Sequence, residues 1–128
     1  MGLKIGPKID LIIPKAFLKN DKLKSAVLRG IFDTDGCIYL EHKNHKLYPR
    51  MEIQTICKKL AEQVKNLFIE LELRATMYGN NIKQKGNRKP LYAIVIRGNE
   101  NFHKFMKIIM PANQKHIQKY EFYRKSFK

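Results

Sequence analysis

Two aspartates, Asp33 and Asp35, are the residues of this sequence with the clearest potential for chemistry. They lie in the stretch Leu28–Gly36, which predicts the last turns of a helix running directly into the strand Cys37–Glu41. We expect Gly36 to end the helix, because the residue just past a helix end often adopts a left-handed backbone that only glycine tolerates at little cost. The helix dipole disfavours negative charge at this end. A chain with a net charge of +15 that keeps two carboxylates there is expected to use them for a cation.

Charge and composition restrict the class of protein and its partners. The chain has 26 lysines and arginines against 11 aspartates and glutamates. Such an excess predicts binding to a polyanion, chiefly nucleic acid. A generally solubilising surface, or a composition inherited from an AT-rich genome, would show the same excess. With 128 residues, 44% of them hydrophobic and 29% charged, the sequence predicts one globular domain with a single core.

The sequence gives no sign of export or of a membrane partner. No apolar run approaches the roughly 18 residues of a membrane span, and the opening residues do not form a signal peptide. Cys37 and Cys57 have no zinc-site spacing, so reduced thiols are expected. An intracellular, cytoplasmic protein follows as the expectation.

Hydrophobic periodicity predicts the elements that position the two aspartates. Asn20 and Asp21 offer an N-cap for the helix, which is expected to run to about Thr34. Gly79, Asn80 and Asn81 signal a turn. The first strand alternates over 38–43, and the other strands are expected near 47–54, 73–78 and 91–97. The other helices are expected near 58–71, 99–110 and 113–125, with Asn99 or Asn101 capping the second of these.

This order, α-β-β-α-β-β-α-α, predicts an α+β fold. Each strand has one apolar face, as a sheet covered by helices on one side requires, and strand 91–97 is apolar enough to be central. Residues 20–128 are expected to form the domain. Residues 1–19 form an arm or strand whose role the sequence leaves open.

The polar faces of the strands, and the basic loop that follows the third strand, are candidates for contact with nucleic acid. Side chains of these types reach base edges in a major groove, and basic loops suit phosphates. A solvated sheet face and a solubilising loop tip would show the same pattern. The candidates are Tyr39, Lys43, Tyr48, Arg50, Glu52, Gln54, Arg74, Thr76, Tyr78, Lys83, Lys85, Arg88 and Lys89.

One stripe of the motif helix suggests a partner helix. Its members are Leu23, Val27, Gly30, Ile31 and Thr34, at helical spacing. Gly30 and Thr34 are small, so a second backbone could approach closely. A glycine inside a helix costs about 0.8–1.0 kcal/mol relative to alanine, which requires a packing reason. Spacing alone leaves open whether that reason is a second helix or the protein's own core.

The stretch Leu28–Gly36 resembles the signature of the LAGLIDADG homing endonucleases, with departures at Arg29 and Thr34, where the consensus has alanine. The resemblance implies a four-stranded, curved antiparallel sheet lying along double-stranded DNA. It also implies two such helices packed side by side, each bringing one acidic residue to a shared metal site, and site-specific cleavage of DNA. The matching residues are Leu28, Gly30, Asp33, Asp35 and Gly36.

The resemblance implies roles for individual residues. Asp35 is the expected ligand of Mg²⁺, and Thr34 contributes through its backbone carbonyl. Arg97 stands where a basic residue near the scissile phosphate is expected, and Gln54 where a polar catalytic residue is expected. Asp33 is expected to have a structural role.

Two questions stay open at this stage. The alignment with the family places Cys57 or Ile56 at the polar position before the second helix, with Gln54 and Thr55 close by. Either Gln54 serves in a different register, or the site has lost this residue. A loss would suit a non-cleaving binder: an RNA intron maturase or a DNA-binding regulator. A basic structural or translational protein with an accidental match is the third alternative. A single signature predicts a homodimer on a palindromic or pseudo-palindromic site. Otherwise the chain is half of a two-repeat protein, such as an intein nuclease, although no splicing-junction residues are visible.

Overall fold

The computed structural model describes residues 13–80 and 91–126 of the chain. A short 3-10 helix, Lys15–Leu18, precedes the domain proper. The elements that follow are α1 (Asp21–Asp35), β1 (Gly36–Lys43), β2 (Lys46–Thr55), α2 (Lys58–Glu70), β3 (Thr76–Asn80), β4 (Leu91–Arg97), α3 (Asn99–Ile108) and α4 (Gln114–Lys125). This order confirms the predicted α+β fold.

The four strands form one antiparallel sheet in the order β1-β2-β4-β3. β4 is therefore a central strand, as its apolar run predicts. In the register of the sheet, Gly36 faces Ile53, which faces Ile94, which faces Met77. The start of β1 and the end of β2 thus lie at the same end of the sheet as the start of β4 and the end of β3.

The core lies on one side of this sheet. The inward side chains of the strands, such as Ile38, Met51 and Ile96, are buried with residues from all four helices. Phe105 of α3 packs edge-on against Phe32 of α1, with ring centroids 4.7 Å apart. Burial of this apolar surface is the main stabilising term, and it leaves the opposite face of the sheet uncovered by the described helices.

Helix α1 begins as expected. The side chain of Asn20 accepts a hydrogen bond from the backbone N–H of Leu23 at 2.8 Å, which satisfies a donor that the first helical turn leaves free. The helix runs through Asp35, one residue beyond the predicted end, and its buried residues are Leu28 and Phe32.

The reason given above for Gly36 is wrong. Its backbone is extended, with φ −90° and ψ 158°, a conformation that any residue adopts. Glycine is required because Phe32 covers it: a Cβ would come within 2.6 Å of Cγ and Cε1 of the Phe32 ring. The helix passes into the strand without a loop, and the aromatic ring fills the space that a side chain would need.

Three local expectations are also corrected. Gly79 and Asn80 belong to β3 and do not form a turn, because both pair with residues of β4. The N-cap of α3 is Gly98, whose φ of 106° favours glycine. Asn101 does not cap this helix, since its side chain donates to the carbonyl of Arg97 at 2.8 Å.

The expected N-terminal arm lies mostly outside the described residues. Ile13 is buried, and its backbone makes two hydrogen bonds with the Gln63 side chain of α2, at 2.6 and 3.1 Å. This pairing fixes the point at which the chain enters the domain. Within the described ranges, no helix has the length and apolar character needed to cross a bilayer.

We expect Gly36→Ala to destabilise the fold, because its methyl group would displace the Phe32 ring. Overpacking of this kind typically costs about 1–3 kcal/mol. Gly79→Ala is the matched control, since its Cβ would meet the Tyr92 ring at an ordinary 3.4 Å. Urea unfolding of both variants measures the difference. Equal stabilities would contradict the role given to Phe32.

Candidate active site and nucleic-acid interface

Asp33 ties the end of α1 to the start of α4. Its carboxylate accepts hydrogen bonds from the backbone N–H of Ala112 at 3.0 and 3.1 Å and from that of Asn113 at 3.1 Å. The Asn113 side chain donates to the Asp33 carbonyl at 3.1 Å and also caps α4 by accepting from Lys115. These bonds give Asp33 the structural position expected of it.

A buried histidine completes this junction. His116 is fully buried, with its ring centroid 4.5 Å from that of Phe32 and its Nε2 3.3 Å from the Phe32 carbonyl. The same carbonyl accepts the N–H of Gly36. Burial lowers the pKa of His116 below its ordinary value, which keeps the ring neutral at pH 7. Sequence reasoning missed this residue, although its spacing from Tyr120 and Tyr123 follows the inward stripe of α4.

Asp35, unlike Asp33, has a carboxylate that is available to bind a cation. It is exposed at the last position of α1 and makes no hydrogen bond or ion pair with another described residue. The hydroxyl of Thr34 donates to the Gly30 carbonyl at 2.6 Å, while the carbonyls of the last helical turn have no later helical N–H to bind. The end of α1 therefore presents one free carboxylate beside backbone oxygens.

This donor set suits half of a magnesium site. Mg²⁺ takes oxygen ligands, keeps several waters and is often held by one or two carboxylates. Among the described residues no group of three or more histidines, cysteines, aspartates and glutamates could hold a metal ion. A single copy of this chain thus supplies one carboxylate, Asp35, to any cation at this position.

The register brings Gln54, but not Arg97, to the Asp35 end of the sheet. Gln54 follows Ile53, which is opposite Gly36, and its side chain is exposed on the outer face. Arg97 is opposite Arg50, two strands from β1 and about 10 Å further along the strand direction at the usual rise per residue. Within one chain the structure therefore separates Arg97 from Asp35.

The alternative polar positions are also resolved. Cys57 is 2% exposed and lies at the N-cap of α2, so it does not face the outer surface. Ile56 is partly exposed but apolar. Gln54 is therefore the polar side chain at the end of β2 that faces outward, and its Nε2 donates to Glu52 at 2.5 Å.

A basic residue that the sequence reasoning missed lies at the Asp35 end. Lys115 is in the first turn of α4 and lines a cleft of about 550 Å³ along Ile38–Leu40 of β1, the strand that begins directly after Asp35. In the same cleft Lys119 donates to the Ile38 carbonyl at 2.6 Å. The Asp33 bonds fix where Lys115 lies, a tertiary effect that no local pattern predicts.

The outer face of the sheet carries most of the candidates for nucleic-acid contact. Lys83, Lys85, Arg88 and Lys89 lie outside the described residues. Arg50 and Glu52 are half-buried on the outer face. The candidates exposed there are Tyr39, Lys43, Tyr48, Gln54, Arg74, Thr76 and Tyr78.

Arg50 is engaged by its own chain. Its guanidinium lies 3.4 Å from carboxylate oxygens of both Glu41 and Glu52, and 4.5 Å from the centroid of the Tyr39 ring. A hydrogen bond with Cys37 raises the pKa of Tyr39, so this ring stays neutral. The charge of Arg50 is thus largely compensated before any ligand arrives.

The predicted interface stripe on α1 is open to solvent around its glycine. Gly30 is exposed, and a Cβ added to it would meet nothing within 4 Å. Thr34 is exposed as well, whereas Leu23, Val27 and Ile31 are half-buried. Among the described residues the core therefore does not account for Gly30, and the second helix that its spacing suggested stays a prediction.

Comparison with known proteins identifies similarity over most of the chain. A family model described as a LAGLIDADG-like domain matches residues 22–110. The ribonucleoside-diphosphate reductase NrdEB subunit alpha of Bacillus subtilis (strain 168) and its counterpart from Bacillus phage SPbeta are each 30% identical over 105 residues. Each alignment covers 73% of this chain and 10% of the reductase subunit.

The chain therefore spans about a tenth of the length of these reductase subunits. The family match and the reductase match each cover well over half of this chain, so they share residues. The similarity to the reductases thus includes part of the LAGLIDADG-like segment.

We expect Asp33→Asn and Asp35→Asn to have different effects on stability. The first puts an amide where the carboxylate accepts backbone N–H groups, and loss of such bonds costs about 1–3 kcal/mol. The second removes an unpaired charge from a helix C-terminus and should be neutral or slightly stabilising. Urea unfolding without divalent cations measures both. A larger loss for Asp35→Asn would contradict this assignment.

Proposed function

The chain belongs to the LAGLIDADG homing endonuclease family, and we propose that it is a homodimeric, metal-dependent endonuclease specific for sites in double-stranded DNA. The observation that carries the proposal is the exposed carboxylate of Asp35, which pairs with none of the described residues and ends a helix whose Gly30 surface is open. A second copy packed there would bring a second Asp35 to the same place.

The assembly follows from what one chain lacks. One chain supplies a single carboxylate, Asp35. Hydrolysis of a phosphodiester is promoted by metal ions that carboxylates hold close to the scissile bond. Two-fold packing of α1 on α1 is the simplest way to supply two carboxylates, because the same surface is used by both copies. A two-fold symmetric protein prefers a palindromic or nearly palindromic DNA site.

Asp35 and the carbonyl of Thr34 would hold Mg²⁺ at this position. The bound ion supplies an activated water and stabilises the leaving oxygen. Gln54 lies at the same end of the sheet and provides amide groups that orient a water or a phosphate oxygen. Lys115 provides a cation in the first turn of α4, and we assign to it the phosphate-stabilising role that the sequence alone suggested for Arg97.

DNA affinity would come from charge and from the shape of the sheet. The net charge of +15 favours a polyanion, and the outer face presents polar side chains that no described helix covers. Binding that rests on many phosphate contacts weakens steeply with added salt. Affinity is therefore spread over a long surface, while catalysis depends on a few groups at the end of α1.

The two-repeat arrangement has one observation in its favour. The reductase subunits that match this chain are about ten times longer than the matched segment, so a segment of this kind also occurs inside long proteins. If this chain is such a segment, a second motif elsewhere in the protein replaces the second copy. The α1 surface and Asp35 keep the same roles in both arrangements.

We expect Gly30→Leu to abolish dimerisation without unfolding the chain. A leucine side chain blocks the approach of a second backbone. A Cβ at this position meets none of the described residues within 4 Å, and leucine favours the helix by about 0.8 kcal/mol relative to glycine. Sedimentation equilibrium should show a monomer, and circular dichroism a folded protein. A variant with the wild-type dissociation constant would remove this interface.

We expect Asp35→Asn to abolish cleavage and to preserve DNA binding. The change removes the metal ligand and relieves repulsion between the two aspartates of a dimer. Asp21→Asn is the matched control, since Asp21 is an exposed aspartate at the other end of the same helix. Cleavage is measured with Mg²⁺ on a duplex selected from a random library, and binding with Ca²⁺ in its place.

Full cleavage by Asp35→Asn would refute the endonuclease mechanism. If the wild type binds duplex DNA or intron RNA tightly but cuts no duplex, the non-cleaving alternative, a maturase or a regulator, replaces it.

A further inference from the structure

A second cleft on the outer face of the sheet lies away from Asp35. It has a volume of about 260 Å³, and Val95 of β4 forms its apolar floor, 4% exposed. The walls are polar and come from the loop before β3, from β3, from the end of β4 and from the first turn of α3. They consist of Arg74, Thr76, Tyr78, Arg97 and Asn101.

The two arginines of this cleft carry uncompensated charge. Neither Arg74 nor Arg97 forms an ion pair with a carboxylate of the described residues. Arg97 also faces Arg50 across the strand pair. The donors of Arg74 and Arg97 therefore suit a ligand that supplies acceptor atoms.

Arg50 and Arg97 are neighbours on adjacent strands, but their guanidinium groups have different partners. Glu41 and Glu52 already pair with Arg50. The guanidinium of Arg97 instead lies 5.8 Å from the centroid of the Tyr78 ring, and the Asn101 amide holds the Arg97 carbonyl at 2.8 Å. These contacts restrict where Arg97 points without using its hydrogen-bond donors.

We propose that this cleft reads guanine in the major groove, with Arg74 and Arg97 donating to the O6 and N7 acceptors of guanine bases. The proposal rests on the proposed function, because it requires the outer face to lie along duplex DNA. Guanine is the base that presents two acceptors to a guanidinium fork. Adenine presents a donor beside N7, and a pair of arginines repels it.

Arg97 thereby acquires a role that fits its position. It lies at the end of the sheet away from Asp35, where base pairs are read at a distance from the bond that is cut. Arg50 next to it is paired with Glu41 and Glu52, which leaves fewer of its donors for a base. In a dimer the guanine preference should appear in both half-sites.

The test uses the full-length protein with Ca²⁺ in place of Mg²⁺. Wild type is first used to select duplexes from a randomised pool. Affinities are then measured for the selected duplex and for duplexes carrying adenine or 7-deazaguanine at each selected guanine. Losing one bidentate contact should weaken wild-type binding by about 5- to 150-fold, and 7-deazaguanine, which lacks N7, should do so without changing the base pair.

The variants separate base reading from phosphate binding. Arg74→Lys and Arg97→Lys keep the charge but lose the planar fork of donors, so their binding should distinguish guanine from 7-deazaguanine less than the wild type does, with the salt dependence unchanged. Arg124→Gln is the control: this exposed arginine of α4 lies 5.8 Å from the Tyr120 ring centroid, the separation that Arg97 has from Tyr78, but it is not on the sheet.

Two outcomes overturn the inference while the proposed function stands. One is a selected site without guanine preference. The other is that the lysine variants distinguish guanine from 7-deazaguanine as well as the wild type does. This includes the case in which only Arg→Gln variants weaken binding, and weaken it equally for all duplexes, as loss of a phosphate contact would. A wild type that selects no sequence at all overturns the proposed function itself.

Discussion

The direct passage from α1 into β1 is the constraint on which the site depends. No loop separates the helix from the strand, so the position of Asp35 is set by how firmly the last helical turn is held. Phe32 packs over Gly36 and against Phe105, and the Asp33 carboxylate holds the backbone that leads into α4. Residues two apart on a helix point to nearly opposite sides. The Asp33 carboxylate therefore bonds to the backbone of its own chain, while Asp35 is directed outward.

Hydrophobic periodicity was sufficient to predict most helices and strands, because burial of one face requires apolar residues at regular spacing in the sequence. The stripes of α2 and α3 and the central place of β4 follow from the spacing of apolar residues. The cap at Asn20 follows from local chemistry. These features depend on neighbours close along the chain, or on burial alone, and so a single sequence is enough to find them.

What sequence could not predict depends on contacts between distant residues. Gly36 is glycine because of a ring packed on it, and its own dihedral angles give no reason for it. Gly79 and Asn80 resemble a turn but continue a strand because β4 is present to pair with them. Arg50 and Arg97 both occupy outward positions in the alternation of their strands. Only the strand register and the carboxylates beside Arg50 show that its charge is compensated, while that of Arg97 is not compensated by any described carboxylate.

The proposed assembly combines two costs that one chain already bears with a third that arises only between two copies. Gly30 weakens α1 by about 0.8–1.0 kcal/mol relative to alanine, Asp35 places charge at the unfavourable end of the helix dipole, and two copies would bring these charges and dipoles together. Packing of the helices offsets the first, but it increases the second. Under this proposal, a cation held by the carboxylates would reduce that repulsion, and metal binding and dimerisation would favour each other to the same extent by linkage. One chain alone would then be inactive, and a complete site would form only where both copies are held together.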